Sequence, residues 1–172
     1  MQQFTVTGLA LDSSNDAPVV LLREIDGDRI LPIWIGPAEA NAIALSLAGL
    51  EPPRPLTHDL LQRVVDGAGL SVQRIVISEI QGNTFFAEIV LEGPNAITRI
   101  DARPSDSIAL ALRTNSPIFV ADGVFEEEFG IDPTQDPERY ERLRQRLERI
   151  DPVNFGDPTA LGDADRPHGE ST

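Results

Sequence analysis

The chain has 172 residues, 41% of them hydrophobic, and a formal net charge of −14 from 28 acidic and 14 basic side chains. This length suits one domain with an appendage, and the hydrophobic fraction excludes a disordered chain. The chain contains no cysteine, which excludes disulfides, thiolate metal sites and thiol nucleophiles, and we expect no zinc. A net-negative protein lacks the broad basic field that attracts a phosphate backbone, so nucleic-acid binding needs a local arginine cluster or bridging metal ions.

The N-terminal segment shows no targeting signal. Residues 1–6 contain neither a basic region nor an apolar run long enough for a signal peptide. No stretch of the sequence approaches the length of a membrane span. We therefore expect a cytoplasmic protein without membrane contact.

The first part of the chain predicts three strands followed by a helix. The strands are indicated by β-rich runs at residues 4–11, 18–25 and 29–35. Asp26-Gly27 is predicted to supply the positive φ angles of a tight hairpin turn. Pro37 and Glu39 favour the first turn of a helix, which passes through an alanine-rich segment and ends at Gly49.

A stiff connector, Pro52-Pro53-Arg54-Pro55, separates this unit from a second helix. Thr57 is the predicted N-cap of that helix, which extends to about Asp66. Helical periodicity divides its side chains into two faces. The apolar face contains Leu60, Leu61, Val64 and Val65, and the polar face contains His58, Asp59, Gln62, Arg63 and Asp66.

The remainder of the main domain resembles the first part. Strands are predicted at residues 71–80, 84–92 and 96–103, a helix starts at Pro104-Ser105-Asp106, and a closing strand covers residues 117–121. Strand–hairpin–strand–helix thus occurs twice, which we interpret as an internal repeat. Alanine-rich helix faces allow close approach to a sheet, so we predict an α+β fold with helices packed on an antiparallel-rich sheet.

The composition changes after residue 125. Asp136 as N-cap and Pro137 predict a charged C-terminal helix with an apolar stripe, which favours docking on its own domain. The stripe consists of Tyr140, Leu143, Leu147 and Ile150. We predict a domain over residues 1–125, a helical extension over 126–155 and a disordered tail over 156–172.

His58 is the candidate acid–base residue, because the other histidine lies in the polar tail. At a helix N-terminus a phosphate would meet backbone donors, His58 and Arg54, with His58 or Asp59 moving the proton. The alternative is a surface histidine beside a capping Thr57, with Asp59 complementing the helix dipole.

A second candidate cluster lies where the sixth strand meets its helix. Strand alternation places Arg99, Asp101 and Arg103 on one side, ahead of Ser105 and Asp106. In one interpretation this run binds an anion or a metal ion, and Arg99, Arg103 and Ser105 bind the substrate. In the other it forms a row of ion pairs on a solvent-exposed face of the sheet.

Glu39 stands in the first unit where Asp106 stands in the second. In one interpretation Glu39, Asp101 and Asp106 together hold Mg²⁺ or Mn²⁺. In the other, Glu39 and Asp106 only stabilise the N-termini of their helices. Trp34, the single tryptophan, lies in an apolar strand and is expected in the core rather than as a base-stacking platform. The sequence has no Walker loop or dinucleotide fingerprint, so no nucleotide cofactor is expected.

At these residues the chain resembles the bifunctional nuclease domain family. The resemblance is carried by Gly8-Leu9-Ala10-Leu11-Asp12, Leu31-Pro32-Ile33-Trp34-Ile35-Gly36 with Glu39-Ala40, Arg54-Pro55-Leu56-Thr57-His58-Asp59, Thr84-Phe85-Phe86-Ala87, and Asp101-Ala102-Arg103-Pro104-Ser105-Asp106 with Ile108-Ala109-Leu110-Ala111. Plant and bacterial members of that family are associated with RNase and DNase activity. The resemblance implies an α+β fold of its own kind and a tendency to self-associate.

Two functions follow from this sequence. The first is a metal-assisted phosphodiesterase acting on RNA or DNA, with His58, Asp59, Asp101 and Asp106 as catalytic residues. It requires the second helix to face the corner after the sixth strand, so that the guanidinium groups of Arg54 and Arg103 share a pocket with the carboxylates. The second is a non-catalytic homo-oligomeric or regulatory module that binds an anion or a protein partner.

Overall fold

The computed structural model describes residues 1–126 and 130–155. The predicted tail at residues 156–172 lies outside the described residues. The strands are β1 (Gln2–Asp12), β2 (Ala17–Glu24), β3 (Ile30–Trp34), β4 (Ser71–Gln81), β5 (Thr84–Glu92), β6 (Ile97–Ala102), β7 (Ile118–Val120) and β8 (Leu147–Ile150). The helices are α1 (Pro37–Leu47), α2 (Thr57–Gly67), α3 (Pro104–Thr114), α4 (Gly123–Glu126), α5 (Pro137–Arg146) and α6 (Pro152–Phe155).

The strands form one sheet in the order β3-β2-β1-β7-β4-β5-β6, and β8 pairs with the far end of β1. Two antiparallel meanders, β1-β2-β3 and β4-β5-β6, are joined through β7, which runs antiparallel to β1 and parallel to β4. Each meander leads into a helix that begins with proline, α1 or α3. The α+β prediction is confirmed.

The core lies between the sheet and the helices α1 and α3. Leu22, Ile43, Ile75 and Ile108 are among its fully buried side chains. All residues of α3 from Ser107 to Ala111 are buried, so α3 is the central helix of the layer. It contacts α1 on one side and α2 on the other, and this placement brings the first turns of all three helices within reach of one another.

Helix α2 does not bury most of its predicted apolar face. His58 and Val65 are buried, whereas Leu60, Leu61 and Val64 are exposed. The helix is instead attached to α3 through its polar residues, as described below.

Two predicted turn and cap assignments are wrong. Leu56, not Thr57, is the N-cap of α2, because the Asp59 carboxylate accepts the backbone N–H of Leu56 at 2.8 Å. The loop between β2 and β3 spans residues 25–29, and neither Asp26 nor Gly27 has a positive φ angle. Arg29 donates two hydrogen bonds to the Glu24 carboxylate, at 2.8 and 2.6 Å, and this ion pair stabilises the longer loop.

The described part of the C-terminal extension contains the helix α5, the strand β8 and the short helix α6. Asp136 caps α5 as predicted, since its side chain accepts the N–H of Arg139 at 2.9 Å. The helix ends at Arg146, and the last two residues of the predicted stripe, Leu147 and Ile150, belong to β8. Leu147 packs against buried residues of β1 and β2, so the stripe contacts its own domain.

Among residues 1–126 and 130–155, no helix is long and apolar enough to cross a membrane.

Candidate active site

The N-termini of two helices meet at one guanidinium group. Arg103 is the N-cap residue of α3, and its side chain donates to Asp106 Oδ2 at 2.7 Å and to Glu39 Oε1 at 2.6 Å. Glu39 lies in the first turn of α1 and Asp106 in the first turn of α3. The shared pattern of proline followed two residues later by a carboxylate therefore places both acidic groups on one arginine.

His58 completes this group from the third helix. Its Nε2 lies 2.9 Å from Asp106 Oδ1, across 48 residues of sequence. The histidine is only 8% exposed, so the expectation of a surface histidine is wrong. With Nε2–H donating to Asp106, Nδ1 is the nitrogen that can accept a proton. We call Glu39, His58, Arg103 and Asp106 the Arg103 cluster.

The electrostatics of the cluster keep Asp106 ionised. Partial burial acts to raise the pKa of Asp106, but the hydrogen bonds from Arg103 and His58 outweigh it, and the pKa lies below its usual range. Hydrogen bonds to Asp106 and then Glu39 raise the pKa of Arg103. Within the cluster, two carboxyl groups, those of Glu39 and Asp106, share the one guanidinium group of Arg103. A phosphate at this position therefore needs additional positive charge.

Asp59, predicted to move a proton, attaches α2 to α3. Its Oδ1 accepts Arg113 Nε at 2.5 Å and its Oδ2 accepts the N–H of Leu56. Arg113 also donates to the carbonyl oxygens of Ala42 and Ala109. Burial acts to raise the pKa of Asp59, but the bonds from Arg113 and Leu56 lower it on balance. With both oxygens engaged, Asp59 positions the start of α2 and hence His58.

Arg113 is a residue of this arrangement that no sequence motif marks. It lies at the end of α3, 54 residues from Asp59, and its side chain is almost fully buried. The one signal in the sequence is a basic residue in the last turn of an apolar helix, which is common as a dipole partner.

The other predicted residues lie apart from the Arg103 cluster. Arg54 is exposed in the connector before α2. Arg99 pairs with Glu88 on β5 at 2.8 Å, which is the ion-pair arrangement of the alternative interpretation. Asp101 is exposed and makes no ion pair with any residue in the described ranges. Arg54 and Arg103 were both expected to share a pocket with the carboxylates. Of these two arginines, only Arg103 contacts Glu39 and Asp106.

The predicted metal ligands are brought together only in part. Glu39 and Asp106 share Arg103, whereas Asp101 lies outside the cluster. Within the described residues, no group of three or more histidine, aspartate or glutamate side chains is arranged to hold a metal ion. The pair Glu39 and Asp106 supplies two oxygen ligands of the kind Mg²⁺ and Mn²⁺ prefer.

A cleft of about 370 Å³ opens beside the cluster. It is lined by Trp34, Gly36, Thr84, Phe85, Arg103 and Ser105, among others, and we call it the Arg103 cleft. Ser105, one of the predicted substrate-binding residues, lies in the first turn of α3 at its wall. Trp34 is 37% exposed, so its predicted place in the core is wrong. The cleft gives a ligand access to Arg103.

Comparison with known proteins confirms the resemblance seen in the sequence. The model of the bifunctional nuclease domain matches residues 20–131. An uncharacterized protein of Mycobacterium tuberculosis (strain ATCC 25618 / H37Rv) is 38% identical over 164 residues, which cover 90% of this chain and 98% of that protein.

Plant proteins with a named activity are more distant. Bifunctional nuclease 1 of Oryza sativa subsp. japonica is 25% identical over 112 residues, which cover 63% of this chain and 34% of the plant protein. Bifunctional nuclease 1 of Arabidopsis thaliana is 25% identical over 107 residues, covering 60% and 33%. The chain thus spans about a third of the length of these plant relatives.

Proposed function

Because the chain belongs to the bifunctional nuclease domain family, we propose that it hydrolyses phosphodiester bonds of RNA, DNA or both at the Arg103 cluster. The observation that carries this proposal is that His58 of α2 meets Arg103 and Asp106 at the start of α3, 48 residues along the chain from Asp106. This set combines a proton acceptor, an anion-binding group and a carboxylate that fixes the acceptor.

Each residue of the cluster has a defined role in this proposal. Arg103, whose side chain is 67% exposed and lines the Arg103 cleft, binds the non-bridging phosphate oxygens. Asp106 holds Nε2–H of His58, so that Nδ1 accepts a proton from the attacking water. The oxygen of that water bonds to phosphorus, the bond from phosphorus to the leaving oxygen breaks, and the leaving oxygen takes a proton from solvent.

The charge of the cluster is the physical reason to retain metal assistance in the proposal. Arg103 alone does not balance Glu39 and Asp106, and a phosphate adds further negative charge. Glu39 and Asp106 would hold Mg²⁺ or Mn²⁺, which supplies positive charge at the phosphate when bound. Arg103, no longer shared between the two carboxylates, would then be available to the phosphate.

Replacing Arg103 by alanine tests this proposal. We expect kcat/KM for a labelled single-stranded RNA or DNA to fall by about 100-fold, because an anion-binding donor in the transition state is lost. The matched control is Arg99→Ala, which removes an arginine of similar exposure, 59% against 67%, from β6 and is expected to change the rate less than about twofold. Equal rates for wild type and Arg103→Ala would indicate a contaminating nuclease.

The same assay in EDTA tests metal assistance separately. Loss of activity in EDTA and recovery with Mg²⁺ or Mn²⁺ is the expected result. Full activity in EDTA would overturn the metal part of the proposal and assign the whole of the charge stabilisation to Arg103.

A second candidate function, a homo-oligomeric module, is favoured by the exposed face of α2. Leu60 and Val64 are 56% and 59% exposed, although they lie on a helix whose other face is well anchored. Strand β6 is an edge of the sheet and exposes Ile97 and Ile100. Apolar rows on a helix and an unpaired strand edge both suit a second copy of this chain.

The double variant Leu60→Glu/Val64→Glu tests this second function. Light scattering is expected to show an oligomer for the wild type and a smaller species for the variant, because two apolar side chains that the oligomer would bury become charged. Ile25→Glu is the control, since Ile25 is 50% exposed in the β2–β3 loop. A wild-type monomer at high micromolar concentration would rule the oligomer out.

A further inference from the structure

The C-terminal extension carries a concentration of arginine that the rest of this acidic chain lacks. Residues 137–150 contain five of the fourteen arginines and three glutamates, a local net charge of +2 in a chain of −14. These residues form α5 and β8 and lie outside residues 20–131, which the family model matches. The family resemblance therefore does not account for them.

Part of this arginine group lines a cleft of about 430 Å³. Its walls are Pro32, Trp34, Ile131, Arg139, Arg142 and Leu143, together with Arg146, and we call it the Arg142 cleft. Among the described residues, no aspartate or glutamate lines it. An anion entering this cleft meets guanidinium groups without a carboxylate at the wall.

Of the three arginines that line the Arg142 cleft, Arg139 and Arg142 can offer their positive charge to a bound anion. Arg146 is neutralised by Asp12, to which it donates twice. Arg142 is 68% exposed and has one glutamate, Glu138, at 3.8 Å, which is a weak pair in water. Arg139 donates to the carbonyl oxygen of Gly130 and makes no ion pair with the residues that the structure describes.

Trp34 connects this cleft with the candidate active site, because this residue lines both the Arg142 cleft and the Arg103 cleft. The ring is held in place, since Nε1 donates to Asp12 at 2.8 Å and the Arg146 guanidinium lies 5.7 Å from the ring centroid. A fixed, partly exposed indole between two arginine-lined clefts is the arrangement that stacks an unpaired base while guanidinium groups hold its phosphates.

We propose that single-stranded nucleic acid binds in the Arg142 cleft, passes over Trp34 and enters the Arg103 cleft. This inference rests on the proposed function and adds its substrate class and a binding surface. A single strand is favoured over a duplex because stacking on Trp34 needs an unpaired base. The acidity of the remaining surface also opposes the broad phosphate contact that a duplex makes.

The experiment uses the single tryptophan as its own probe. The full chain is titrated with a phosphorothioate oligothymidylate, which resists cleavage, while the emission of Trp34 and the anisotropy of a fluorescein label are followed. We expect saturable quenching of Trp34 and a dissociation constant that rises steeply with salt. Equal quenching by a blunt duplex of the same length, or none by the single strand, would overturn the inference.

Two arginines of α5 provide a matched pair of variants. Arg142→Gln is expected to raise the dissociation constant about fivefold and to lower the salt slope by about 1, because one phosphate contact is lost. Arg144→Gln removes the same charge from an equally exposed position, but Arg144 pairs with Glu141 and lines a different cleft. It is expected to change the constant less than twofold. Equal effects of both variants would show that binding depends on net charge alone and would refute binding in the Arg142 cleft.

Failure of this inference and failure of the proposed function give different results. Cleavage that depends on Arg103 but not on Arg142, with no quenching of Trp34, rejects the inference and leaves the nuclease proposal intact. Quenching that depends on Arg142, in a protein that cleaves nothing, supports the inference as a binding surface and rejects the nuclease.

Discussion

Replacing His58 by glutamine is expected to lower kcat for phosphodiester cleavage by about 100- to 10,000-fold, the range typical of a lost general base. Glutamine fills a similar volume, and its amide N–H can still donate to Asp106 Oδ1, as His58 Nε2 does at 2.9 Å. The side chain cannot accept a proton from water. The substitution therefore separates proton transfer from the structural role of the hydrogen bond.

The measurement is kcat under saturating substrate, together with the free energy of unfolding of both proteins. An unfolding free energy within about 1 kcal/mol of the wild type is expected, because the buried hydrogen bond is retained. A folded His58→Gln protein with wild-type kcat would show that His58 only joins α2 to α3.

Replacing Asp12 by alanine is expected to lower the free energy of unfolding by about 3 kcal/mol. Asp12 is fully buried and accepts hydrogen bonds from Arg146, Trp34 and Ser14. Alanine leaves these donors without their acceptor and detaches the end of α5 from β1. Chemical denaturation of wild type and variant measures the difference. The control is Asp28→Ala, whose exposed pair with Arg23 at 3.3 Å is expected to contribute less than about 1 kcal/mol.

The contribution of Asp12 also predicts an acid dependence. The hydrogen bond from Arg146 is the main cause that holds the pKa of Asp12 far below its usual range, against an opposing effect of burial. A carboxyl group with a lowered folded pKa stabilises the protein fully above its unfolded pKa of about 3.9, and this stability is lost as the pH falls below that value. The difference between wild type and Asp12→Ala should therefore shrink below about pH 4. A difference that is constant down to pH 2 would contradict this account.

The sequence predicted the elements well because their signals are local. Proline at the first helical position and a carboxylate two residues later identified α1 and α3. The turn predicted between residues 80 and 84 is present, and Gly82 and Asn83 have positive φ angles there. The same local pattern placed Glu39 and Asp106 in equivalent positions. Their meeting on Arg103 then follows from the packing of α1 against α3.

The failures concern contacts between residues far apart in the chain. Hydrophobic periodicity gives the two faces of α2 but does not show that Asp59 and Arg113 pair across 54 residues and turn the polar face inward. Trp34 lies in an apolar strand, yet the buried carboxylate of Asp12 binds its indole N–H near the surface. Such polar pairs depend on the three-dimensional arrangement and leave no period in the sequence.

The most direct test of the Arg103 cluster compares two aspartates five residues apart. Asp106 contacts both Arg103 and His58, whereas Asp101 lies outside the cluster. Cleavage of a labelled single-stranded oligonucleotide is measured for Asp106→Asn and Asp101→Asn, purified in the same way. We predict a loss of about 100-fold for Asp106→Asn and a change of less than about twofold for Asp101→Asn. Equal and large losses in both variants would indicate a metal site built on both carboxylates and contradict the cluster as the catalytic unit.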